Sequence, residues 1–165
     1  MAKKTGSEPR RATESVWHYP RPPAVVPCDR RVRVEHDGVV IADSDNALRV
    51  LETASPPTIY VPPADVRTDL LAPTEGHSVC EWKGQASYFH VGEGERRGER
   101  AAWTYREPND AYSELRDHVA FYAGRVDACR LGDERVEAQA GDFYGGWVTS
   151  EIEGPMKGES GSEGW

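Results

Sequence analysis

Cys80, Lys83 and Tyr88 share one short stretch, and each carries a group able to take part in chemistry. A thiolate is a nucleophile, an ammonium holds anions or carbonyls, and a phenol passes a proton. Cys80 as a nucleophile needs a base in reach, and His77, His90 and His118 qualify by sequence position alone. The competing reading makes Cys80 a small core residue in a strand with Val79. A lysine at a turn is ordinarily a solvated charge. Lys83 lies between Trp82 and Gly84, so it can instead present a cation at the mouth of a pocket.

Aromatic residues cluster around this stretch. Trp82 and Tyr88 fall on one hairpin, Trp103 and Tyr105 on the next strand, and Phe121 and Tyr122 on the one after a helix. Residues two apart share a sheet face, so Trp103 and Tyr105 point together. Such a set either fills a thin β core or walls a small-molecule pocket with a few polar tips, and the residues alone leave both open.

Other chemistries are harder to build. A structural zinc site takes Cys and His ligands in two close pairs. Here His77 and Cys80 are the one near pair, so no metal is expected. GPMKGES (154–160) lacks the spacing and ending of a P-loop, and no HExxH, GxSxG or GxGxxG occurs.

The elements that must position these groups are short. RVRVEH (31–36) alternates valine with charge, Asp37-Gly38 supplies a two-residue turn, and VVIADS returns. Further strands are expected at 47–53, 58–63, 100–105, 119–122, 125–131 and 135–139. SVCEW (78–82) and QASYFHV (85–91) form a second hairpin about Lys83-Gly84, where the turn asks for positive φ or close backbone approach at Gly84. ADVRTDLL (64–71) is a short helix at most, and GEGERRGE (92–99) an exposed loop. NDAYSELRDH (109–118) is the best helix, capped by Asn109 or Asp110, with Ala111, Leu115 and Val119 on one face. From Gly141 onward the chain is Gly-rich, acidic and irregular.

Composition agrees with a mainly β (α+β) domain holding one main helix: sixteen valines stand against six leucines, with 16 glycines and 12 prolines in 165 residues. Residues 1–13 read as a disordered leader whose removal leaves the core intact. Residues 14–31 read as a proline-rich extension docking by Trp17 and Tyr19, 32–128 as the core domain, and 129–165 as a C-terminal extension. The net charge is −8, split into +4 over residues 1–31 and −12 over the rest. A body that acidic repels phosphate backbones, so no nucleic-acid partner is expected. Three scattered cysteines, no secretory h-region and no long apolar run point to a cytoplasmic protein without membrane association.

CEWKGQASYF (80–89), AAWTY with Pro108 (101–108) and HVAFYAGRVD (118–127) together resemble the signature of the domain-of-unknown-function 427 family. DGVVIADS and IYVPPADV precede these blocks at matching spacing, and SVWHYPRPP and GDFYGGW to EGPMKG match the family's longer form. The resemblance implies a β-tent-like fold, similar to B-type methionine sulfoxide reductases and the thalidomide-binding domain of cereblon. Those relatives hold zinc with two Cys-x-x-Cys pairs. This chain has none, so neither metal nor cofactor carries over. The family is sometimes labelled a nucleotidyltransferase, but no carboxylate constellation for magnesium is visible here. Cys80, Trp82, Lys83, Gly84, Tyr88, Trp103, Tyr105 and Tyr122 match the family motif. The resemblance adds Gly84 and Tyr122 to a ligand site framed by Trp82, Lys83, Tyr88, Trp103 and Tyr105.

Two functions follow. One is a β domain binding a small metabolite among these rings. The other is a small metabolite- or nucleotide-modifying enzyme with Cys80 or Lys83 reactive and Tyr88 or a histidine as acid/base. They part on whether Cys80 and Lys83 face a common pocket with a titratable neighbour.

Overall fold

Alternation of valine with polar residues yields strands along most of the chain. A computed structural model describes residues 12–141, 144–159 and 162; the expected leader lies almost wholly outside them. In order come β1 (Glu14–Ser15), β2 (Ala24–Pro27), β3 (Val32–His36), β4 (Val39–Ser44), β5 (Leu48–Leu51) and β6 (Thr58–Tyr60). Then follow β7 (Leu71–Cys80), β8 (Gly84–Val91), β9 (Gly98–Thr104), β10 (Val119–Phe121) and β11 (Ala128–Leu131). Four two-residue strands close the chain: β12 (Glu134–Arg135), β13 (Glu137–Ala138), β14 (Trp147–Val148) and β15 (Ile152–Glu153). The fold is mainly β, built from several small sheets with no closed barrel.

Two four-stranded sheets, ordered β10-β9-β8-β7 and β12-β11-β3-β4, carry most of the structure, and β2-β5-β6 adds a third. Paired backbone hydrogen bonds of 2.8 Å between Val61 and Val119 join the third sheet to β10. The β3–β4 hairpin turns on Asp37 (φ 49°) and Gly38 (φ 76°), the doubly left-handed geometry that an Asp-Gly turn favours.

One face of β8–β10 meets β3, β4 and β11 in an aliphatic core. Cross-strand register places Phe89 opposite Ala102 and Ala102 opposite Phe121, a large-small-large row. Val32, Val34, Ile41, Val91 and Leu131 complete that cluster. No helix among the described residues is long and apolar enough to cross a membrane.

Several expectations need correction. The helix over 109–118 is a 3-10 segment, Asp110–Leu115, kinked at Tyr112. Its buried residues are Tyr112 and Leu115, three apart, while Ala111 is exposed, so the 3.6-residue stripe was the wrong period. Asn109 makes no side-chain cap. Residues 64–71 hold two separate 3-10 turns, Pro63–Asp65 and Thr68–Leu70. The strand 78–82 stops at Cys80, which places Trp82 in the turn. Val79, offered as a core neighbour of Cys80, is 78% exposed. In the N-terminal extension Tyr19 is buried, but Trp17 is largely exposed, its indole N–H donating to the Pro155 carbonyl. The segment after Gly141 is not merely irregular. Its Trp147 is 1% exposed within the aliphatic core, donating from Nε1 to the Phe121 carbonyl at 2.8 Å.

Candidate functional site

The opposite face of β8–β10 carries the aromatic set. Tyr88 lies opposite Trp103, and Trp103 opposite Ala120, whose small side chain leaves room beside the indole. Tyr105 and Tyr122 follow at the ends of β9 and β10, and Tyr60 enters from β6. Tyr60 stands edge-on to Trp103 with ring centroids 6.2 Å apart, and Trp103 lies 4.7 Å from Tyr122. These rings do not close on one another. They border a cavity of about 280 Å³ that Cys80, Trp82, Lys83, Ser78, Glu52 and Lys157 also line.

Polar tips tie the walls together. The Trp103 indole N–H donates to the Tyr60 hydroxyl at 3.3 Å, and the Tyr105 ring centre lies 6.2 Å from that of Tyr60. Ser78 and Tyr88 hydroxyls lie 2.7 Å apart, and Tyr122 is hydrogen-bonded to Tyr88. Burial, above all, raises the pKa of Tyr60, Tyr105 and Tyr122, so all three phenols are neutral at physiological pH. On the rim, guanidiniums stack on two of the rings: Arg100 on Tyr88 at 4.2 Å and Arg125 on Tyr122 at 4.0 Å.

The β7–β8 hairpin brings Cys80 and Lys83 to this cavity. Its strands meet at Cys80 and Gly84, and Glu81–Lys83 form the turn. Gly84 has φ +113°, a conformation that side-chain-bearing residues rarely adopt. Asn109 latches the turn from outside: its backbone N–H donates to the Lys83 carbonyl and its Nδ2 to the Trp82 carbonyl, both at 2.9 Å. The residue expected to cap a helix thus holds the lysine turn in place.

Lys83 is not the solvated or mouth-side charge expected. It is only 9% exposed, with Nζ 5.9 Å from the Tyr105 ring centre and Cys80 beside it on the cavity wall. Burial alone would lower its pKa, but Tyr60, Cys80 and Glu52 around it outweigh burial and hold it above the ordinary lysine value. As an ammonium, Lys83 suits holding an anion and not attacking as a free amine.

All seven candidate ligand residues lie at or beside the cavity: Trp82, Lys83, Tyr88, Trp103, Tyr105 and Tyr122 line it, and Gly84 closes the turn behind Lys83. The candidate bases do not join them. His77, His90 and His118 are absent from its lining; the His90 ring instead accepts from the Arg100 N–H, and His118 contacts the Arg116 carbonyl. No group of three or more His, Cys, Asp or Glu among the described residues is placed to hold a metal ion.

Sequence reasoning missed Tyr60, Ser78, Gln139, Gly145, Gly146 and Lys157, all in the lining. The Gly145-Gly146 doublet was the available signal. A Cβ at Gly145 would stand 2.2 Å from the Trp103 ring, and one at Gly146 2.6 Å from Pro56, so only glycine lets the chain cross the indole this closely.

A model for a domain of unknown function, DUF427, matches residues 24–132. The match spans β2 through β11 and hence the Cys80–Gly84 turn and the rings of β8–β10; Gln139, Gly145, Gly146 and Lys157 lie beyond it. No curated protein matches the chain.

Proposed function

The chain belongs to the DUF427 family, a description that names no activity, and from its own cavity we propose that it binds a small metabolite between the aromatic face of β8–β10 and the Cys80–Gly84 turn. Trp103, Tyr105, Tyr88 and Tyr122 are the walls, Trp82 the flank and Lys83 the charged contact. One observation carries this reading: buried rings with polar tips, together with a buried lysine, surround an open space of about 280 Å³. Apolar walls with a few convergent polar groups are the usual make-up of a small-molecule site. The three cysteines are free thiols, which supports a reducing compartment such as the cytoplasm.

A thermal-shift screen of metabolites and nucleotides tests the reading. A hit should raise the melting temperature of the wild type and lose its effect in Ser78→Phe, which puts a ring into the cavity. A hit that persists in Ser78→Phe binds elsewhere and sinks the assignment.

The enzyme reading retains one observation, the placement of Lys83 and Cys80 together on the cavity wall. The absence of histidine from the lining and the raised lysine pKa count against a Cys-His or amine-nucleophile mechanism. Product analysis on each hit separates the two: turnover abolished by Cys80→Ala would favour the enzyme.

A further inference from the structure

Lys83 presents an unusual balance of charge. Its side chain is nine-tenths buried, it lines the cavity, and among the described residues no carboxylate forms an ion pair with it. Buried charges in folded proteins are normally paired. The Cys80 thiol beside it on the cavity wall is a weak acceptor at best. Tyr60 repeats the pattern. Its oxygen accepts from Trp103 at 3.3 Å, which leaves its own O–H proton to donate. This end of the cavity therefore has donors in excess of acceptors.

The lining also limits how much negative charge fits. Lys83 and Lys157 are balanced by Glu52 and Glu81, so the wall as a whole is neutral. A ligand with one negative charge satisfies Lys83, whereas a polyphosphate meets two carboxylates as well. A cavity of about 280 Å³ has room for one ring with a substituent.

Building on the binding function above, we propose that the ligand is a compact planar monoanion, an aromatic or heteroaromatic carboxylate. Its carboxylate takes the Lys83 ammonium and the Tyr60 hydroxyl, and its ring lies among Trp103, Tyr88 and Tyr122.

Paired probes test this directly. Benzoate with benzamide, and nicotinate with nicotinamide, match in shape and differ in charge. Ligand-observed NMR titrations of the wild type should show each acid binding at least about tenfold tighter than its amide, the margin of one charged hydrogen bond. Adenosine monophosphate should bind more weakly than either acid. Lys83→Met should bring the acid down to the amide, and Lys83→Arg should keep the preference, with melting curves confirming that both variants fold. Acid and amide binding equally well, both lost in Ser78→Phe, would overturn the anion inference and leave the binding site standing. Tighter adenosine monophosphate would overturn it too. Saturable binding by neither member of either pair would overturn both the inference and the site.

Discussion

Strands β8, β9 and β10 have two buried faces that differ in kind. One presents Phe89, Val91, Ala101, Ala102, Val119 and Phe121 to the β3–β4–β11 sheet, with Thr104 at its end donating its hydroxyl to the His118 carbonyl. The other presents Tyr88, Trp103 and Tyr122, each ring bearing a hydrogen-bonding tip, with Ala86 and Ala120 between them. The backbone is common to both, so side-chain chemistry alone sets the difference. Hydrocarbon interlocks to close packing because contact is all it can gain. Rings whose polar tips must meet partners are oriented by those bonds, as Tyr60 and Trp103 are, edge to face at 6.2 Å, and the set of rings borders the cavity. The first face packs apolar side chains against a second sheet, and the second sets hydrogen-bonding tips around the cavity that Lys83 lines.

That contrast can be broken first on the dry face. Phe121→Ala removes a fully buried ring and should cost about 3–5 kcal/mol, most of the stability of a small domain. Urea denaturation measures it; a cost below about 1 kcal/mol would mean that this face is not the core. Alkaline pH attacks the aromatic face instead. Tyr60, Tyr105 and Tyr122 have folded-state pKa values raised above the ordinary one, chiefly by burial. Raised values mean that their stabilisation is whole below about pH 10 and is lost as the pH climbs beyond it. Tyrosinate absorbance should therefore lag the free-tyrosine titration and then rise together with unfolding. Early, independent ionisation of these phenols would show them open to water.

Gly145→Ala probes the seam where the C-terminal segment crosses Trp103. With a Cβ 2.2 Å from the ring, the expected cost is about 1–3 kcal/mol, read by urea denaturation, and the displaced indole should narrow the cavity and weaken any ligand. Two smaller changes sharpen the comparison. Tyr88→Phe deletes the bond to Ser78 and should cost about 0.5–1.5 kcal/mol. Lys83→Met removes a buried charge that has no carboxylate partner and should leave stability within about 0.5 kcal/mol or raise it, as apolar replacements of buried ions often do. A large loss of stability in Lys83→Met would show that the ammonium is a structural pin.

The sequence made the aromatic face easier to read than the cavity within it. Asp37-Gly38 announced its hairpin because the required positive φ values restrict which residues can occupy it. Trp103 and Tyr105 declared their common face through the two-residue period of a strand, and Gly84 its turn. Lys83 was misread because lysine at a turn is usually solvated; only Asn109, remote in sequence, folds the turn inward. Tyr60 was overlooked because it arrives from a different sheet, and no local pattern records that approach. The helix over 109–118 failed for a related reason. Ala111, Leu115 and Val119 fit a helical stripe, yet the chain must return to β10 within a few residues, and a 3-10 segment burying Tyr112 and Leu115 achieves that. Trp147 lay in a glycine-rich run whose composition suggested no burial; the glycines are what let it reach the core.

Two tryptophans mark the two faces, and their indole N–H signals give the most direct measurement. Trp103 Nε1 is bonded to Tyr60 on the cavity wall, and Trp147 Nε1 to the Phe121 carbonyl in the dry core. With the indole signals assigned by single Trp→Phe variants, titration with nicotinate should shift the Trp103 N–H progressively to saturation and leave the Trp147 N–H in place. A Trp103 signal that stays still, or a Trp147 signal that moves as far, would contradict the assignment of one face to binding and the other to the fold.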